Sequence, residues 1–226
     1  MLLSGIFSEY YHPKEGEKLM TRVMIVEDQR MAREDMEGYI CQSSHYELAA
    51  SITNAAMAEA ACRSSNSQLV LMDVCTEGDE SGLKAAGQIK KSMPWVKVII
   101  VTSMAECGFI DRAREAGADS FWYKDTSREE LLEVMDRTMN GESVYPDGPP
   151  VVMIGTAKSC EFTQAEIDVL RLVVEGNSYK KIAEALSISP ETVKWHIGNM
   201  LQKTNFDSKT KLAVAVTKKN LIINGF

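Results

Sequence analysis

The sequence predicts an α/β domain built on a doubly wound, parallel five-stranded sheet, followed by a small all-α domain of four helices. From Met20 to about Glu142, short apolar runs alternate with amphipathic stretches at helical spacing. This alternation is typical of a parallel sheet covered on both faces. After a segment rich in Pro and Gly, four helical stretches follow one another.

Five strands and five helices are predicted in the first domain. The strands are Val23–Val26, Glu47–Ile52, Leu69–Met72, Val96–Val101 and Ser120–Tyr123. The helices are Arg30–Ile40, Ala55–Cys62, Leu83–Lys91, Glu106–Ala116 and Glu129–Met139. Ser127 and Glu130 have the spacing of a capping box, which supports the predicted start of the fifth helix.

The second domain is predicted to contain a helix-turn-helix. Its helices are 164–174, Tyr179–Leu186, Pro190–Thr204 and Lys209–Lys219. Only three residues separate the second helix from the third, which is the spacing of that motif. We therefore expect one domain at residues 20–142 and a second at 161–226. The linker between them, 143–160, is expected to be irregular because it contains Pro146, Gly148, Pro149 and Pro150. Its apolar patch, Val151–Ile154, is expected to pack against one of the domains.

Charge is divided unequally between the two domains. The chain has 226 residues and a formal net charge of -7. Residues 20–142 contain 13 Lys/Arg and 21 Asp/Glu, whereas residues 157–226 contain 10 and 7. This division suggests two domains with different partners.

The five cysteines form no CxxC pair, and no apolar run approaches the ~18 residues of a membrane span. We expect a cytoplasmic protein without a membrane partner.

Chemically active side chains follow four of the predicted strands. The first strand ends in Glu27–Asp28, the third in Asp73, the fourth in Thr102 and the fifth in Lys124. Function in such sheets gathers at the carboxyl ends of the strands. Three carboxylates at one edge would repel one another unless a cation lay among them, and Mg²⁺ prefers such oxygen ligands. A hydroxyl and an ammonium group nearby would complement the oxygens of a phosphoryl group.

Residues 20–140 resemble the receiver domain of two-component response regulators. The resemblance rests on VMIVEDQ, LVLMDV, VIIVTS and GADSFWYKD, which occur in the expected order. It implies that Asp73 accepts a phosphoryl group from a histidine kinase. It also implies that Asp28, Asp73 and the Cys75 carbonyl bind Mg²⁺ directly and that Glu27 does so through water. Thr102 and Lys124 would then bind the phosphoryl group, and Phe121 would be the aromatic switch residue.

The loop after Asp73 departs from the family pattern. This loop spans residues 75–83 and is one residue longer than the corresponding loop of the family. It is acidic and lacks the family's proline. Without proline the backbone is less restricted, so we expect a more mobile loop. It is either a tolerated surface variation or a change in kinase docking or phosphoryl lifetime.

The residues at the strand ends argue against two functions other than a phosphorylated receiver. A pseudo-receiver would be expected to lack an acidic residue or the lysine, and none is missing. An aspartate-nucleophile phosphatase would place a second carboxylate two residues after the nucleophile, where this chain has Cys75. We therefore do not expect an enzyme.

The third helix of the second domain has two distinct faces. Val193, Ile197 and Leu201 recur every four residues and are expected to pack on Ile182, Leu186 and Ile188. The opposite face presents residues suited to the DNA major groove. They are Glu191, Lys194, Trp195, Gly198, Asn199 and Gln202.

Residues 161–223 resemble the LuxR-type domain of NarL/FixJ regulators. The resemblance rests on the stretch FTQAEIDVLRLVVEGNSYKKIAEALSISPETVKWHIGNMLQKTNFDSKTKLAVAV. It implies base-facing positions at Lys194, Trp195 and Gly198, and weaker phosphate contacts at Thr192, His196 and Lys203. His196 is alternatively a packing residue, and Trp195 could instead shield a helix–helix contact. The fourth helix, with Leu212 and Val216, matches the dimerisation helix.

Together the two resemblances imply a transcription regulator controlled by phosphorylation. Its expected partners are a histidine kinase, promoter DNA, RNA polymerase and a second copy of the chain.

The first 19 residues are expected to be a translated leader, with the native protein starting at Met20. Codons for Glu15–Gly16–Glu17 can contain a purine-rich ribosome-binding sequence. The alternative is an arm that packs on the first domain through Ile6, Phe7, Tyr10 and Tyr11.

Overall fold

The computed structural model describes residues 20–78, 80–106, 108–124 and 127–222. The expectations for residues 1–19 lie outside them. The first domain consists, in chain order, of β1 (Thr21–Val26), α1 (Arg30–Cys41), β2 (Tyr46–Ile52), α2 (Ala58–Ser64), β3 (Leu69–Asp73), β4 (Cys75–Thr76), β5 (Glu80–Ser81), α3 (Gly82–Ser92), β6 (Lys97–Thr102), α4 (Gly108–Glu115), β7 (Ser120–Tyr123) and α5 (Arg128–Met139).

The predicted parallel sheet is confirmed. Its strands lie in the order β2-β1-β3-β6-β7, and every neighbouring pair is parallel. Successive side chains of a strand point to opposite faces. Met24 and Met72 accordingly pack with residues of α2, α3 and α4, whereas Ile25 and Leu71 pack with residues of α1 and α5. The central strands β1, β3 and β6 each contain four consecutive buried apolar residues, because both faces of the sheet are covered there.

The second domain contains the predicted helix-turn-helix. Its elements are β8 (Met153–Ile154), β9 (Ala157–Lys158), α6 (Gln164–Val174), α7 (Tyr179–Leu186), α8 (Pro190–Thr204) and α9 (Lys209–Lys218). Thr163 and Glu166 form the capping box that starts α6. Ser189 caps α8, and Pro190 occupies its first turn. Val193 and Ile197 are buried in the core of this domain, as predicted.

The linker is more ordered than its prolines suggested. After Pro150 the chain forms an antiparallel pair, β8 with β9, and Ile154 and Ala157 are fully buried in the core of the second domain. Gly155 permits the turn between them because it adopts a positive φ of 61°. The β8–β9 pair was not predicted, so the expected irregular backbone is limited to the first half of 143–160. The apolar patch packs on the second domain through Val152 and Ile154. Among the described residues, no helix has the length and apolar character needed to cross a membrane.

Candidate functional site

Three carboxylates meet at the carboxyl edge of the sheet. Glu27 and Asp28 follow β1, and Asp73 ends the neighbouring strand β3. One oxygen from each of the three lies within 4.8 Å of the others. Glu27 and Asp73 are buried, whereas Asp28 is exposed. Buried carboxylates at this separation are suited to a hard divalent cation, and Asp28 leaves one side open to solvent.

Lys124 brings the compensating positive charge of the protein itself. It follows β7, and its Nζ lies 3.1 Å from Asp73 Oδ1 and also pairs with Glu27 Oε2. Burial raises the pKa of Asp73 above its ordinary range; Lys124 opposes this shift, and the charge of Glu27 adds to it. A single ammonium group thus serves two buried carboxylates, which fits a site that holds a further cation.

Thr102 lies at the end of β6, beside the strand that carries Asp73. Asp73 is in register with Val101, so Thr102 comes one position beyond it. The Thr102 hydroxyl is buried and accepts the Met104 N–H at 3.1 Å. Its oxygen is already occupied by one donor, and its proton is suited to a phosphoryl oxygen.

Phe121 lies inside the domain on β7. It is buried, and its ring is 5.0 Å from that of Tyr123 and 6.3 Å from that of Tyr145. Its N–H donates to the Val144 carbonyl at 2.8 Å, so the start of the linker lies against the edge of the sheet. The Tyr145 hydroxyl donates to the Ala118 carbonyl at 2.7 Å. The contact of Tyr145 with the switch position was not expected from the sequence.

The loop after Asp73 contains a short antiparallel strand pair, and its expected mobility stays a prediction. β4 and β5 pair antiparallel, with Cys75 opposite Ser81 and Thr76 opposite Glu80. Cys75, whose carbonyl is the third predicted Mg²⁺ ligand, is partly buried on β4. Hydrogen bonds replace the missing proline as the restraint on this backbone.

The predicted base-facing residues lie on the outer face of α8. Trp195 is 62% exposed, and Lys194 and Gly198 are also exposed. Asn199 is partly buried, as is Thr192, whose hydroxyl lies 2.9 Å from that of Ser189 at the start of the helix. Glu191 and Gln202 on the same face are exposed as well, and Trp195 is the largest side chain available to a groove.

His196 lies between the exposed and the buried face of α8. It is partly buried, and its ring is 4.9 Å from that of Trp195. Its Nδ1 is buried and makes no hydrogen bond within the described part of the chain. This supports the packing alternative.

Lys203 has a structural role that the sequence analysis missed. Its Nζ lies 2.9 Å from Glu166 Oε1, 2.7 Å from Glu166 Oε2 and 2.9 Å from the Glu161 carbonyl. An ammonium group has three protons, and these three acceptors use them. The geometry therefore does not support the assignment of Lys203 to a DNA phosphate. The sequence contains one signal for this pairing: Glu166 belongs to the capping box, and a negative charge buried there needs a positively charged partner.

The two domains contact each other beside Thr102. The segment Met104–Glu106 lies against the second domain, where Ala105 N–H donates to the Asn220 carbonyl at 3.1 Å. The buried carboxylate of Glu106 forms an ion pair with Arg171 of α6. The loop that follows one predicted phosphoryl-binding residue therefore also holds the second domain.

Both domains match known families. Residues 23–136 match the response regulator receiver domain, and residues 161–216 match the bacterial regulatory proteins of the luxR family. The response regulator protein VraR of Staphylococcus aureus (strain Mu3 / ATCC 700698) is 32% identical over 206 residues, which cover 89% of this chain and 98% of that protein.

Solved structures give the same result. A DNA-binding response regulator of the LuxR family from Staphylococcus aureus shows 30% identity and a TM-score of 0.51, over 54% of this chain and 100% of that chain. The two-component response regulator RcsB in its DNA complex gives a TM-score of 0.58 at 15% identity, over 88% and 98% of the two chains; this likeness concerns the fold alone. The chain thus belongs to the response regulators, with an N-terminal receiver domain and a C-terminal LuxR-type DNA-binding domain.

Proposed function

We propose that Asp73 is the phosphoacceptor of this response regulator and that its phosphorylation controls binding of α8 to promoter DNA. The observation that carries the proposal is the position of Asp73, which is 97% buried with Lys124 Nζ at 3.1 Å and two further carboxylates within 4.8 Å. The neighbouring carboxylates raise the cost of a charge on Asp73, whereas Lys124 lowers it. Such a mixture of charges suits a site for a cation and a phosphoryl group better than it suits an isolated buried aspartate.

The residues fit a metal-assisted phosphoryl transfer. An oxygen of the Asp73 carboxylate attacks the phosphorus of a kinase phosphohistidine, the phosphorus–nitrogen bond breaks, and the electron pair returns to the imidazole nitrogen. The product is an acyl phosphate on Asp73. Asp28, Asp73 and the Cys75 carbonyl would hold Mg²⁺ directly, and Glu27 through water; the cation would offset the charge of the carboxylates and of the phosphoryl oxygens. Lys124 and Thr102 bind those oxygens from the protein side.

Two routes connect this site to the second domain. Thr102 is followed by Met104–Glu106, which contact Asn220 and Arg171. Phe121 contacts the linker through Tyr145. Repositioning of Thr102 or Phe121 around a phosphoryl group would alter both contacts, which would free the second domain or favour a dimer. Two copies of α8 would then engage paired half-sites.

The DNA contacts proposed are those of the outer face of α8. Lys194, Trp195 and Gly198 would face bases, and Asn199 would lie on the same face. Thr192 would lie beside the phosphates. RNA polymerase is proposed as a further partner at the promoter, and the cytoplasm as the compartment.

Trp195→Ala should change relative affinity among DNA sequences, since an exposed indole can contact a thymine methyl. An unchanged order of preference would make Trp195 structural.

Intact-mass measurement tests the phosphoacceptor. Incubation of the full-length protein with acetyl phosphate and Mg²⁺ should add one phosphoryl mass, and Asp73→Asn should abolish the addition. Asp119→Asn is the matched control, because Asp119 is partly buried and, like Asp73, paired with lysine, but lies at the opposite end of the sheet. Persistent labelling of Asp73→Asn would place the acceptor elsewhere.

A further inference from the structure

The hairpin formed by β4 and β5 is fastened to the segment between β2 and α2. Glu77 N–H donates to the Thr53 carbonyl at 3.2 Å, and Thr53 Oγ1 donates to Glu77 Oε2 at 2.6 Å. Asn54 Nδ2 donates to the Glu77 carbonyl at 3.1 Å. The Glu77 carboxylate is therefore held by Thr53, and it is not among the carboxylates that cluster around Asp73 in the described residues.

Thr76 makes the buried part of this connection. Its hydroxyl donates to the Glu80 carbonyl at 2.9 Å across the hairpin and accepts the Ala55 N–H at 2.9 Å. The side chain is almost fully buried, at 3% exposure. A buried backbone N–H that loses its acceptor costs free energy, so the Thr76 hydroxyl is required where it lies. Its β-branched side chain also restricts rotation about χ1.

The other end of the hairpin returns to the phosphoacceptor itself. Gly82 N–H donates to the Val74 carbonyl at 2.9 Å. A Cβ at Gly82 would lie 1.7 Å from the Asp73 carbonyl oxygen, so only glycine fits there. The backbone from Asp73 to Thr76 is thus restrained at both ends.

We propose that Thr76 is the positioning residue of the cation site, because its hydroxyl fixes the peptide plane that contains the Cys75 carbonyl. The Cys75 carbonyl and the Thr76 Cα share one planar peptide unit. Anchoring the Thr76 side chain to Ala55 and Glu80 therefore limits the directions that this carbonyl can take. In this chain the hairpin and the Thr76 hydroxyl take over the restraint that a proline would otherwise supply. The inference rests on the proposed function, since it requires Mg²⁺ at this site.

The test is Mg²⁺ affinity of the unphosphorylated full-length protein, measured by calorimetric titration with Mg²⁺ alone. Thr76→Val keeps the shape of the side chain but removes both hydrogen bonds, and it should raise the Kd for Mg²⁺ about tenfold. Thr76→Ser restores the hydroxyl and should bring the Kd to within about twofold of the wild type.

Thr138→Val is the matched control. Thr138 is also a fully buried threonine with two hydrogen bonds, to Ser120 Oγ at 2.7 Å and to the Val134 carbonyl at 2.6 Å, but it lies on α5. Its substitution should lower the melting temperature and leave the Kd for Mg²⁺ unchanged. If Thr76→Val behaves in the same way, Thr76 is merely structural and the proposal is overturned.

Failure of the cation site itself would give a different result. In that case Asp28→Asn would bind Mg²⁺ as the wild type does, which would overturn the proposed ligands and the positioning role together. If Thr76→Val does not fold, Thr53→Val is the second variant. Thr53 is partly exposed, and its substitution removes the hydroxyl that donates to Glu77. A Kd raised by at least about twofold supports the proposal, and an unchanged Kd overturns it.

Discussion

Asp119 joins two lysine side chains at the amino-terminal end of the sheet. Its carboxylate is 2.8 Å from Lys90 Nζ and 2.9 Å from Lys97 Nζ, and it accepts the Val98 N–H at 2.9 Å. Burial alone would raise the pKa of Asp119, but hydrogen bonds from Lys90, Lys97 and Val98 more than offset it and hold the pKa below its ordinary range. Asp119 therefore stabilises the fold in its charged form.

Asp119→Asn should reduce the free energy of unfolding by about 1–3 kcal/mol at pH 7. Because the pKa of the folded protein is lower than that of the unfolded chain, this contribution is complete above the unfolded pKa of about 4 and is lost as pH falls through the folded pKa. Urea unfolding at neutral and acidic pH measures the difference between wild type and variant. If the difference in unfolding free energy between wild type and variant does not shrink in acid, the charge of Asp119 does not stabilise the fold.

Lys203 and Lys194 lie on the same helix, α8, but are expected to differ in role: Lys203 stabilises the fold, and Lys194 binds DNA. Lys203→Ala should lower the free energy of unfolding by about 1–3 kcal/mol, because it leaves the buried Glu166 carboxylate unpaired. Lys194 is exposed, and Lys194→Ala should weaken DNA binding; if it contacts a phosphate, the slope of log affinity against log salt falls by about one. Salt titrations of both full-length variants check this. A reduced slope for Lys203→Ala would return that residue to the DNA surface.

At the scale of elements, the linker extends the first domain along the edge strand β7. Val144 N–H donates to Ser120 Oγ at 3.0 Å, and the Val144 carbonyl accepts the Phe121 N–H at 2.8 Å. Arg114 lies over the Tyr145 ring at 4.6 Å. These contacts tie the first residues of the linker to the element that carries the switch residue, before the chain continues to β8.

Tyr145→Phe should loosen this attachment. It keeps the ring but removes the hydrogen bond to the Ala118 carbonyl, so hydrogen exchange at the Phe121 amide should speed up by about threefold to tenfold. Tyr46→Phe is the control, because the Tyr46 hydroxyl also makes one strong hydrogen bond, to Asp136 at 2.6 Å, away from the linker. Equal exchange at Phe121 in wild type and Tyr145→Phe would mean that the hydroxyl does not secure the linker.

Elements that depend on local pattern could be predicted, whereas contacts between distant segments could not. Parallel strands bring their carboxyl ends to one edge, so Asp28, Asp73 and Lys124 were expected together from strand positions alone. The contact of Thr76 with Ala55 depends on how a loop folds back across the sheet edge. The pairing of Glu166 with Lys203 joins two helices and carries no periodic signal. The prolines likewise predict irregular backbone only for the first half of the linker, since β8 and β9 follow Pro150.

For the whole molecule, the junction between the domains lies next to the proposed phosphoryl-binding hydroxyl. Glu106 is buried and paired with Arg171, and Ala105 N–H donates to the Asn220 carbonyl at 3.1 Å. Removing one partner of a buried ion pair leaves an uncompensated charge. A shift of the segment after Thr102 would therefore change the stability of this junction, which gives the receiver a physical means of controlling α8.

DNA affinity of the full-length protein with and without phosphorylation tests this control most directly. Binding to a DNA sequence selected with the protein is measured before and after acetyl phosphate and Mg²⁺, with intact mass recorded for each sample. The wild type should gain about 5-fold to 150-fold in affinity, the usual range of coupling between two sites, and Asp73→Asn should gain none. The account is contradicted if wild type labelled at Asp73 binds DNA no more tightly, or if Asp73→Asn gains as much as the wild type.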